Sequence, residues 1–245
     1  MISFFKRRFG KDVDFSPLGT DMHSHLLPGI DDGSPDVATS DELIKGLQSL
    51  GYGKLITTPH VISDLYPNNT STISAAYQKL KSETKIPQAS FPVEYAAEYM
   101  LDENFDKHIT DGSLLCIKEK YVLVEFSFIS PPPNFKQKLF ELQLNHYTPV
   151  LAHPERYLYF LHDKQIFEDL RSHGCLFAVN LLSFLGYYGK PTAELANYFL
   201  KKNYIELLGT DLHHPRHLEV LRNGSQLSSV IGNLTDSGNL LNPRL

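Results

Sequence analysis

The sequence predicts an α/β protein in which repeated strand–helix units form one closed or nearly closed barrel. The chain has 245 residues, of which 42% are hydrophobic and 21% are charged, a balance that allows one large globular domain. Short apolar runs alternate with segments of helical periodicity about seven times, and this order implies a parallel sheet. Six of the apolar runs end in His, Asp or Glu, at the strand ends where such barrels place their active sites.

The strand candidates are justified by these ionisable ends. The first run, from Phe15 to Thr20, leads into Asp21-Met-His-Ser-His25. The other five cover residues 54–60, 92–98, 121–125, 148–153 and 205–211, and they end in His60, Glu98, Glu125, His153 and Asp211. Residues i and i+2 of a strand point to the same side. The pair His23 and His25 can therefore supply two ligands to one metal ion, and so can the pair Asp211 and His213. A further strand, 176–181, ends without an obvious ligand.

The helix candidates lie between the strands. Ser34 and Pro35 supply an N-cap and a first-turn proline for a helix that runs to Leu50, where Gly51 ends it. Five more helices are predicted over residues 70–85, 134–147, 163–173, 191–202 and 215–227. The tail from Ser225 to Leu245 is expected to be a packed extension or a frayed end.

Charge and cysteine content exclude several classes of protein. The formal net charge of −5 argues against general nucleic-acid binding. The two cysteines, Cys116 and Cys175, show no metal-type spacing, and neither is followed by an arginine as in a cysteine phosphatase. A reducing, cytoplasmic compartment is therefore expected.

Residues 1–17 are expected to form an N-terminal arm before a single domain over residues 18–245. The first twelve residues mix aromatic side chains with four basic ones, and their apolar part is too short for a signal peptide or a membrane span. The arm is either mobile or makes a weak contact with an acidic partner or a membrane surface.

The candidate metal ligands form a mixed set of imidazoles and carboxylates. The set is His23, His25, Asp32, His60, Glu98, Glu125, His153, Asp211 and His213. One divalent ion takes about three to six protein ligands, so this set suits two or three ions. Nitrogen and oxygen donors together favour manganese, iron or zinc over calcium or magnesium alone. Asp31 and Asp32 are adjacent, and spacing alone does not choose between them.

Several short motifs resemble those of the polymerase-and-histidinol-phosphatase (PHP) superfamily. They are His23-Ser-His25, Gly29-Ile-Asp-Asp-Gly33, Thr58-Pro-His60, Ala152-His-Pro-Glu-Arg156 and Gly209-Thr-Asp-Leu-His213, together with Glu98 and Glu125. Within the superfamily, the stretches from Asp21 to Gly33 and from His153 to Tyr157 are most similar to bacterial manganese-dependent protein-tyrosine phosphatases of capsule and exopolysaccharide clusters. The resemblance covers about residues 18–220.

The resemblance implies a distorted, TIM-like (β/α)7 barrel of the PHP type that holds two to three divalent ions, with manganese expected first and iron or zinc as alternatives. By the motif match, one ion would be held by His23, His25, Glu98 and Asp211. Glu98 would bridge to a second ion that is also held by Glu125 and His153. The third would be held by Asp32, His60 and His213, since the alignment favours Asp32 over Asp31.

Two arginines enter by the same resemblance. Arg156 matches the phosphate-binding arginine of the family. Arg216 lies near the position expected for a second one, although the residues around it, His213-His-Pro-Arg-His217, differ from the family pattern. Three tyrosines near strand ends, Tyr66, Tyr99 and Tyr157, are candidates for shaping a phosphotyrosine pocket.

The implied activity is hydrolysis of phosphotyrosine by metal-activated hydroxide. The implied partner is a bacterial tyrosine kinase of polysaccharide export, through its tyrosine-rich tail, with no nucleic acid and no membrane span. The alternatives are a small-molecule phosphatase such as a histidinol-phosphate phosphatase, a nuclease-like hydrolase, and a metal-binding regulatory module without catalysis. The motifs favour the tyrosine phosphatase, and the intact ligand set with Arg156 disfavours the module. An amidohydrolase would need a metal-bridging lysine at a strand end, whereas Lys54 lies at a strand start.

Overall fold

The computed structural model describes residues 13–87, 91–118 and 120–245. In chain order its strands are β1 (Thr20–Asp21), β2 (Lys54–Thr57), β3 (His60–Val61), β4 (Val93–Tyr95), β5 (Glu98–Met100), β6 (Tyr121–Glu125), β7 (Thr148–Ala152), β8 (Leu176–Asn180) and β9 (Leu207–Gly209). They form one sheet in the order β1-β2-β4 and another in the order β3-β5-β6-β7-β8-β9. Every pairing between these strands is parallel. The predicted α/β class with parallel strands is therefore confirmed.

Helices lie between most of the strands, and six of them correspond to the predicted helices, whereas Phe105–Thr110, Leu181–Phe184 and Leu227–Asp236 were not predicted. Their bounds are α1 (Val37–Ser49), α2 (Thr70–Glu83), α3 (Phe105–Thr110), α4 (Phe135–Leu144), α5 (Gln165–Ser172), α6 (Leu181–Phe184), α7 (Lys190–Lys202), α8 (Pro215–Arg222) and α9 (Leu227–Asp236). The predicted cap at Ser34 is wrong, because Asp36 accepts the hydrogen bond from the Thr39 amide (2.8 Å) and begins α1. The single helix predicted over 215–227 is also wrong, since α8 ends at Arg222 and α9 follows it.

Two of the predicted strands are interrupted just before a candidate ligand. Pro59, which has no amide hydrogen to give to a sheet, separates β2 from β3, and residues 96–97 separate β4 from β5 at the same level. The Ala96 amide still donates to the Thr57 carbonyl (2.9 Å), and the Glu98 amide donates to the Pro59 carbonyl (3.0 Å). The parallel register therefore continues across both breaks and pairs His60 with Glu98.

The segments that follow the first and last strands also lie side by side. Ser24 and Leu212 form an isolated parallel bridge, and the Asp211 amide donates to the His23 carbonyl at 2.8 Å. At the opposite end of these strands, the buried Asn242 side chain bonds the backbones of Thr20 and Leu208. These contacts bring the first and last ligand motifs of the chain together.

Apart from β4, where Glu94 is exposed, the strands are mostly buried on both faces, as expected for parallel strands covered by helices. On β6, Val122 and Val124 belong to the larger apolar cluster that includes the helices, whereas Leu123 belongs to a smaller cluster that also contains Met22 and Ile56. Within the described ranges, no helix is both long and apolar enough to cross a membrane.

The predicted N-terminal arm is described only in part. Residues 1–12 lie outside the described residues. Of the remainder, Val13 and Phe15 are buried in the core, and the Phe15 amide donates to the Leu50 carbonyl (2.7 Å). The domain boundary at residue 18 stays a prediction.

Candidate metal centre

The fold brings the nine candidate ligands together: His60 and Glu98 begin β3 and β5, just past the breaks that follow β2 and β4, Glu125 ends β6, and the others lie in the segments that follow β1, β7 and β9. Their ligand atoms form four overlapping groups: His25 with Asp32, His60 and His213; His23 with Glu98 and His153; His23 with His25 and Asp211; and His60 with Glu98 and Glu125. The cluster is therefore able to bind metal. The assignment of each residue to a particular ion stays a prediction.

The first set of ligand atoms surrounds a common centre. His23 Nε2 and His25 Nε2 are 3.4 Å apart. They lie 3.2 and 3.4 Å from Glu98 Oε2 and 3.5 and 3.4 Å from Asp211 Oδ1. Four tetrahedral ligands about 2.1 Å from one ion are about 3.4 Å from one another. The spacing of these four atoms fits a single metal ion.

Glu98 turns its second oxygen toward a different group. Its Oε1 lies 3.0 Å from His153 Nε2, while its Oε2 faces His23 and His25. Glu125 Oε2 lies 4.0 Å from the same His153 nitrogen. The two oxygens of Glu98 therefore face two different sets of candidate ligand atoms.

The third set lies nearest to solvent. Asp32 Oδ1 is 3.5 Å from both His60 Nε2 and His213 Nε2, and the Asp32 side chain is 51% exposed. The other His60 nitrogen, Nδ1, lies 2.8 Å from Glu125 Oε1 and 3.1 Å from Glu98 Oε2. His60 therefore stands between the set that contains Asp32 and the set that contains Glu125.

Unpaired buried atoms provide a test of whether this cluster fits metal. His60 Nδ1, Glu98 Oε2, Glu125 Oε1 and His153 Nδ1 are buried without a hydrogen-bond partner. Such atoms cost free energy unless a partner is present. Three of them, all but His153 Nδ1, face other candidate ligand atoms at close range without hydrogen-bond geometry, which is the arrangement that a cation between them would satisfy. The residues present therefore fit divalent ions of the manganese, iron or zinc type.

The electrostatics of the cluster point the same way. Burial works to raise the pKa of Glu98 and of Asp211, but neighbouring histidines outweigh it, and both pKa values lie well below their usual range. Burial works to lower the pKa of His25 and of His60, but nearby carboxylates raise both well above the usual range. The ionised carboxylates of Glu98 and Asp211 are thus stabilised by positive charge beside them. Protonated histidines and metal ions compete to supply that charge.

Asp31 and Asp32 have separate positions, which the sequence could not distinguish. Asp31 Oδ2 accepts hydrogen bonds from His25 Nδ1 (2.8 Å) and from the His60 amide (3.2 Å), and Asp31 Oδ1 accepts one from the Gly33 amide (3.0 Å). Asp31 therefore fixes the ring of His25, so that Nε2 faces the cluster. Asp32 points to His60 and His213 instead.

The backbone around the ligands is tightly packed at two glycines and left-handed at two of the ligands. A Cβ atom on Gly33 would lie 2.3 Å from the His25 carbonyl oxygen, and one on Gly209 would lie 2.7 Å from His23 Cβ. His153 and Asp211 adopt left-handed conformations, with φ of 34° and 49°. Such conformations are unfavourable for non-glycine residues and concentrate at functional sites.

Arg156 lies in the same cavity as the ligands, held between two aromatic rings. Its guanidinium carbon is 4.2 Å from the ring centroids of both Phe128 and Tyr188, a cation–π arrangement. Its Nη1 donates to Asp211 Oδ2 at 3.3 Å. The cavity has a volume of about 270 Å³ and is lined by Asp32, His60, Glu125, Phe128, His153, Arg156, Tyr188, Asp211, His213, His214 and His217. The guanidinium can therefore meet an anion that binds at the ligand cluster.

Arg216 is not among the residues that line this cavity. Its side chain lines a different depression together with Leu185 and Glu219, and its guanidinium carbon is 6.0 Å from the Tyr187 ring. A contact between Arg216 and phosphate stays a prediction.

The three tyrosines proposed for a phosphotyrosine pocket differ in position. Tyr66 stacks on His60 with a centroid distance of 5.7 Å. Tyr99 and Tyr157 are buried in the core, where the Tyr157 hydroxyl donates to the Ala152 carbonyl at 3.0 Å. Sequence reasoning missed Phe128 and Tyr188, which line the cavity.

Neither cysteine has the properties of a nucleophile. Burial raises the pKa of Cys175 to about 12 and that of Cys116 to about 11. Neither thiol lines the cavity that contains Arg156. A cysteine-phosphatase site is therefore absent from the described residues.

The fold and the cluster define an α/β protein with a histidine–carboxylate centre that can bind metal. The chain belongs to the family described as capsular polysaccharide synthesis, CpsB/CapC, which matches residues 19–220.

Named relatives and a solved structure agree with this membership. Over 195 residues the chain is 28% identical to the tyrosine-protein phosphatase YwqE of Bacillus subtilis, a match that covers 79% of this chain and 77% of the relative. It is 24% identical over 207 residues to the tyrosine-protein phosphatase CpsB of Streptococcus pneumoniae, covering 79% and 82%. A crystal structure from work on YwqE and CpsB, described as metal-dependent tyrosine phosphatases, matches with a TM-score of 0.77 at 25% identity, covering 92% of this chain and 90% of that chain.

Proposed function

We propose that this protein is a metal-dependent protein-tyrosine phosphatase that acts in the synthesis of capsular or extracellular polysaccharide. One observation carries the proposal: the histidine and carboxylate side chains converge with Arg156 in a single cavity. The phosphatase names of the relatives support the same activity.

The proposed site holds two to three divalent ions, manganese first and iron or zinc as alternatives. His23, His25, Glu98 and Asp211 would hold one ion, Glu98 with Glu125 and His153 a second, and Asp32, His60 and His213 a third. Bound ions of this kind lower the pKa of a coordinated water toward neutrality and neutralise phosphate charge. Glu98 supports this assignment because its two oxygens face different ligand sets.

The chain's own residues would bind and orient the substrate. Arg156 offers a planar set of donors that matches two phosphate oxygens at once. Phe128 and Tyr188 hold the guanidinium from both sides, so little side-chain entropy would be lost on binding. The same rings give the cavity apolar walls against which a phenyl ring can pack.

The outer edge of the cavity favours a protein substrate over a small molecule. Phe128 lines the cavity and is 47% exposed, and the neighbouring Ile129 and Leu158 are 90% and 41% exposed. The Tyr159 hydroxyl donates to the Ser127 carbonyl (3.0 Å) and ties the two loops that carry them together. We call Phe128, Ile129 and Leu158 the apolar rim. A polypeptide around phosphotyrosine can contact this rim, whereas histidinol phosphate has little apolar surface to offer it.

The order of the strands supports a barrel of seven strands. If β2 with β3 and β4 with β5 count as single interrupted strands, seven strands follow one another, and the Ser24–Leu212 bridge supports closure between the first and the last. A distorted (β/α)7 barrel over residues 18–245 is therefore proposed. The partner would be the tyrosine-rich tail of a polysaccharide-export tyrosine kinase, on the cytoplasmic side.

Metal removal tests the proposal. Chelation should abolish hydrolysis of a phosphotyrosine peptide, and Mn²⁺ should restore it best. Glu98→Ala should lose bound metal and reduce turnover by several orders of magnitude, because the ions supply both nucleophile and charge stabilisation. His162→Ala, an exposed position, is the control and should change little.

Two outcomes would reject the proposal. One is full activity in a preparation that elemental analysis finds free of transition metal. The other is turnover on histidinol phosphate that exceeds turnover on the phosphotyrosine peptide at equal concentration.

A further inference from the structure

We infer that Asn180 is a positioning residue that sets the orientation of Asp211 for metal binding. Asn180 ends β8, the strand for which the sequence offers no ligand. Its side chain is 1% exposed, and its Nδ2 donates a hydrogen bond of 2.9 Å to Asp211 Oδ2. The inference rests on the proposed metal site.

The orientation of the Asn180 amide is fixed by a second bond. Its Oδ1 accepts from the Leu182 amide at 2.8 Å and caps α6. Because only the oxygen can accept that bond, the NH₂ group must face Asp211. The Asn180 backbone amide in turn donates to the buried Glu155 Oε1 (2.9 Å), which also accepts from the Ser183 hydroxyl (2.6 Å). The donor is therefore held rigidly on both its backbone and its side chain.

The consequence for Asp211 is that its two oxygens have different roles. Oδ2 accepts from Asn180 and from Arg156, and Oδ1 is left facing His23 and His25 at 3.5 and 3.4 Å. Asp211 also adopts a left-handed backbone conformation, which is unfavourable for a non-glycine residue. Asn180 also holds the oxygen that Arg156 contacts, which couples the metal ligand to the phosphate-binding residue.

A serine substitution separates this role from the helix cap. Asn180→Ser keeps a side-chain oxygen of a good N-cap residue, but the shorter side chain cannot reach Asp211. Removal of an outer hydrogen-bond partner of a metal ligand typically weakens metal affinity by about 10- to 100-fold. The dissociation constant of Mn²⁺ should rise by that factor when the metal-stripped protein is titrated calorimetrically with Mn²⁺ alone.

Three further variants serve as comparisons. Asn69→Ser makes the same change at the cap of α2, where the Asn69 side chain accepts from the Ser71 and Thr72 amides, and it should leave Mn²⁺ affinity unchanged. Tyr188→Phe removes the other contact of Asn180 Nδ2 (3.2 Å), and it should raise the Mn²⁺ dissociation constant less than Asn180→Ser does, because the bond to Asp211 is kept. Asn180→Ala lacks the cap as well, and it should combine the same loss of affinity with a lower melting temperature of the stripped protein.

The outcomes are distinct. An Mn²⁺ dissociation constant within twofold of the unmodified protein in Asn180→Ser would overturn the inference, even if the stripped variant melted at a lower temperature, because the residue would then act on the fold alone. Failure of the unmodified protein to bind Mn²⁺ would reject the proposed metal site and the inference together. Normal Mn²⁺ binding without phosphotyrosine hydrolysis would reject the proposed activity. The role of Asn180 would then be decided by the Mn²⁺ titration of Asn180→Ser alone.

Discussion

At the scale of single residues, Arg156 combines three contacts that no other arginine of the described residues shares. It stacks between Phe128 and Tyr188, it donates to Asp211, and it lines the cavity of the ligand cluster. Burial works to lower the pKa of Arg156, but the charge of Asp211 outweighs it and raises that pKa. The guanidinium therefore stays charged at any pH at which the protein is folded.

Arg156→Lys should keep the metal and the fold while weakening phosphate binding. Lysine keeps the charge but lacks the planar fork and the flat faces that stack on rings. The loss should be about 1.5–3 kcal/mol per charged hydrogen bond, which is about 10- to 150-fold in kcat/KM. Steady-state kinetics on a phosphotyrosine peptide measure it. Arg222→Lys, at a position that contacts only the Ser49 hydroxyl among its polar neighbours, is the control, and equal kinetics in both variants would remove Arg156 from the site.

The sequence predicted those residues whose chemistry is visible in their type and place. His60, Glu98 and His153 stand out because an ionisable residue at the end of an apolar run is unusual in a core. Asn180 ends a strand in the same way, but an amide is a weak metal ligand and gives no signal. Phe128 was missed because an exposed aromatic residue in a loop looks like any other until Arg156 is placed against it.

At the scale of elements, the loops after the strands carry the function and depend on chain breakers for their shape. The loop after β6 contains Phe128 and Ile129 and continues into Pro131, Pro132 and Pro133. Consecutive prolines restrict the backbone to extended conformations. Ile129 is 90% exposed and follows Phe128, which lines the cavity.

Ile129→Ser should impair hydrolysis of a phosphotyrosine peptide but not of p-nitrophenyl phosphate. Partial burial of an isoleucine side chain by a peptide is worth about 1 kcal/mol, so the peptide KM should rise about fivefold. Ile129 is not among the residues that line the cavity, so the small aryl phosphate should not contact it and its KM should stay the same. Leu144→Ser removes a 62% exposed leucine from α4, whose residues do not line the cavity. A similar peptide KM in both variants would show that the rim does not contact the substrate.

Element boundaries were harder to predict than element types. The helices were found from their apolar spacing, but the end of α8 at Arg222 was not predicted. Gly224 lies against Leu185, where a Cβ atom would be 2.8 Å from a methyl carbon, and this tertiary contact favours the turn. The six-residue α3 is too short to give a periodic signal.

At the scale of the whole molecule, the candidate ligands come from both ends of the chain, so the site depends on contact between the segments that follow β1 and β9. The tail from Ser225 to Leu245 adds to that contact through Asn242, which is fully buried. This role could not be predicted from the sequence, since an asparagine in a polar tail is common. Only the three-dimensional arrangement places it between the first and last strands.

Asn242→Ala should be among the most destabilising changes outside the apolar core. The Asn242 side chain accepts from the Leu208 amide (2.9 Å) and donates to the carbonyls of Leu208 (2.7 Å) and Thr20 (3.0 Å). Alanine would leave these buried groups without the bonds, at a total cost of about 3 kcal/mol. Denaturant unfolding of the metal-stripped protein measures it as a lower midpoint with an unchanged slope.

Asn223→Ala is the matched control for that prediction. Its Nδ2 donates to the Glu219 carbonyl at 2.8 Å on the exposed side of α8, where water can replace the lost bond, so the expected change is about 0.5 kcal/mol or less. If Asn242→Ala lowered the free energy of unfolding no more than Asn223→Ala does, the tail would not connect the first and last strands. The contact between the first and last strands would then rest on the Ser24–Leu212 bridge and on the hydrogen bonds that the buried Asp21 carboxylate accepts from the Thr210 amide (3.0 Å) and hydroxyl (2.7 Å).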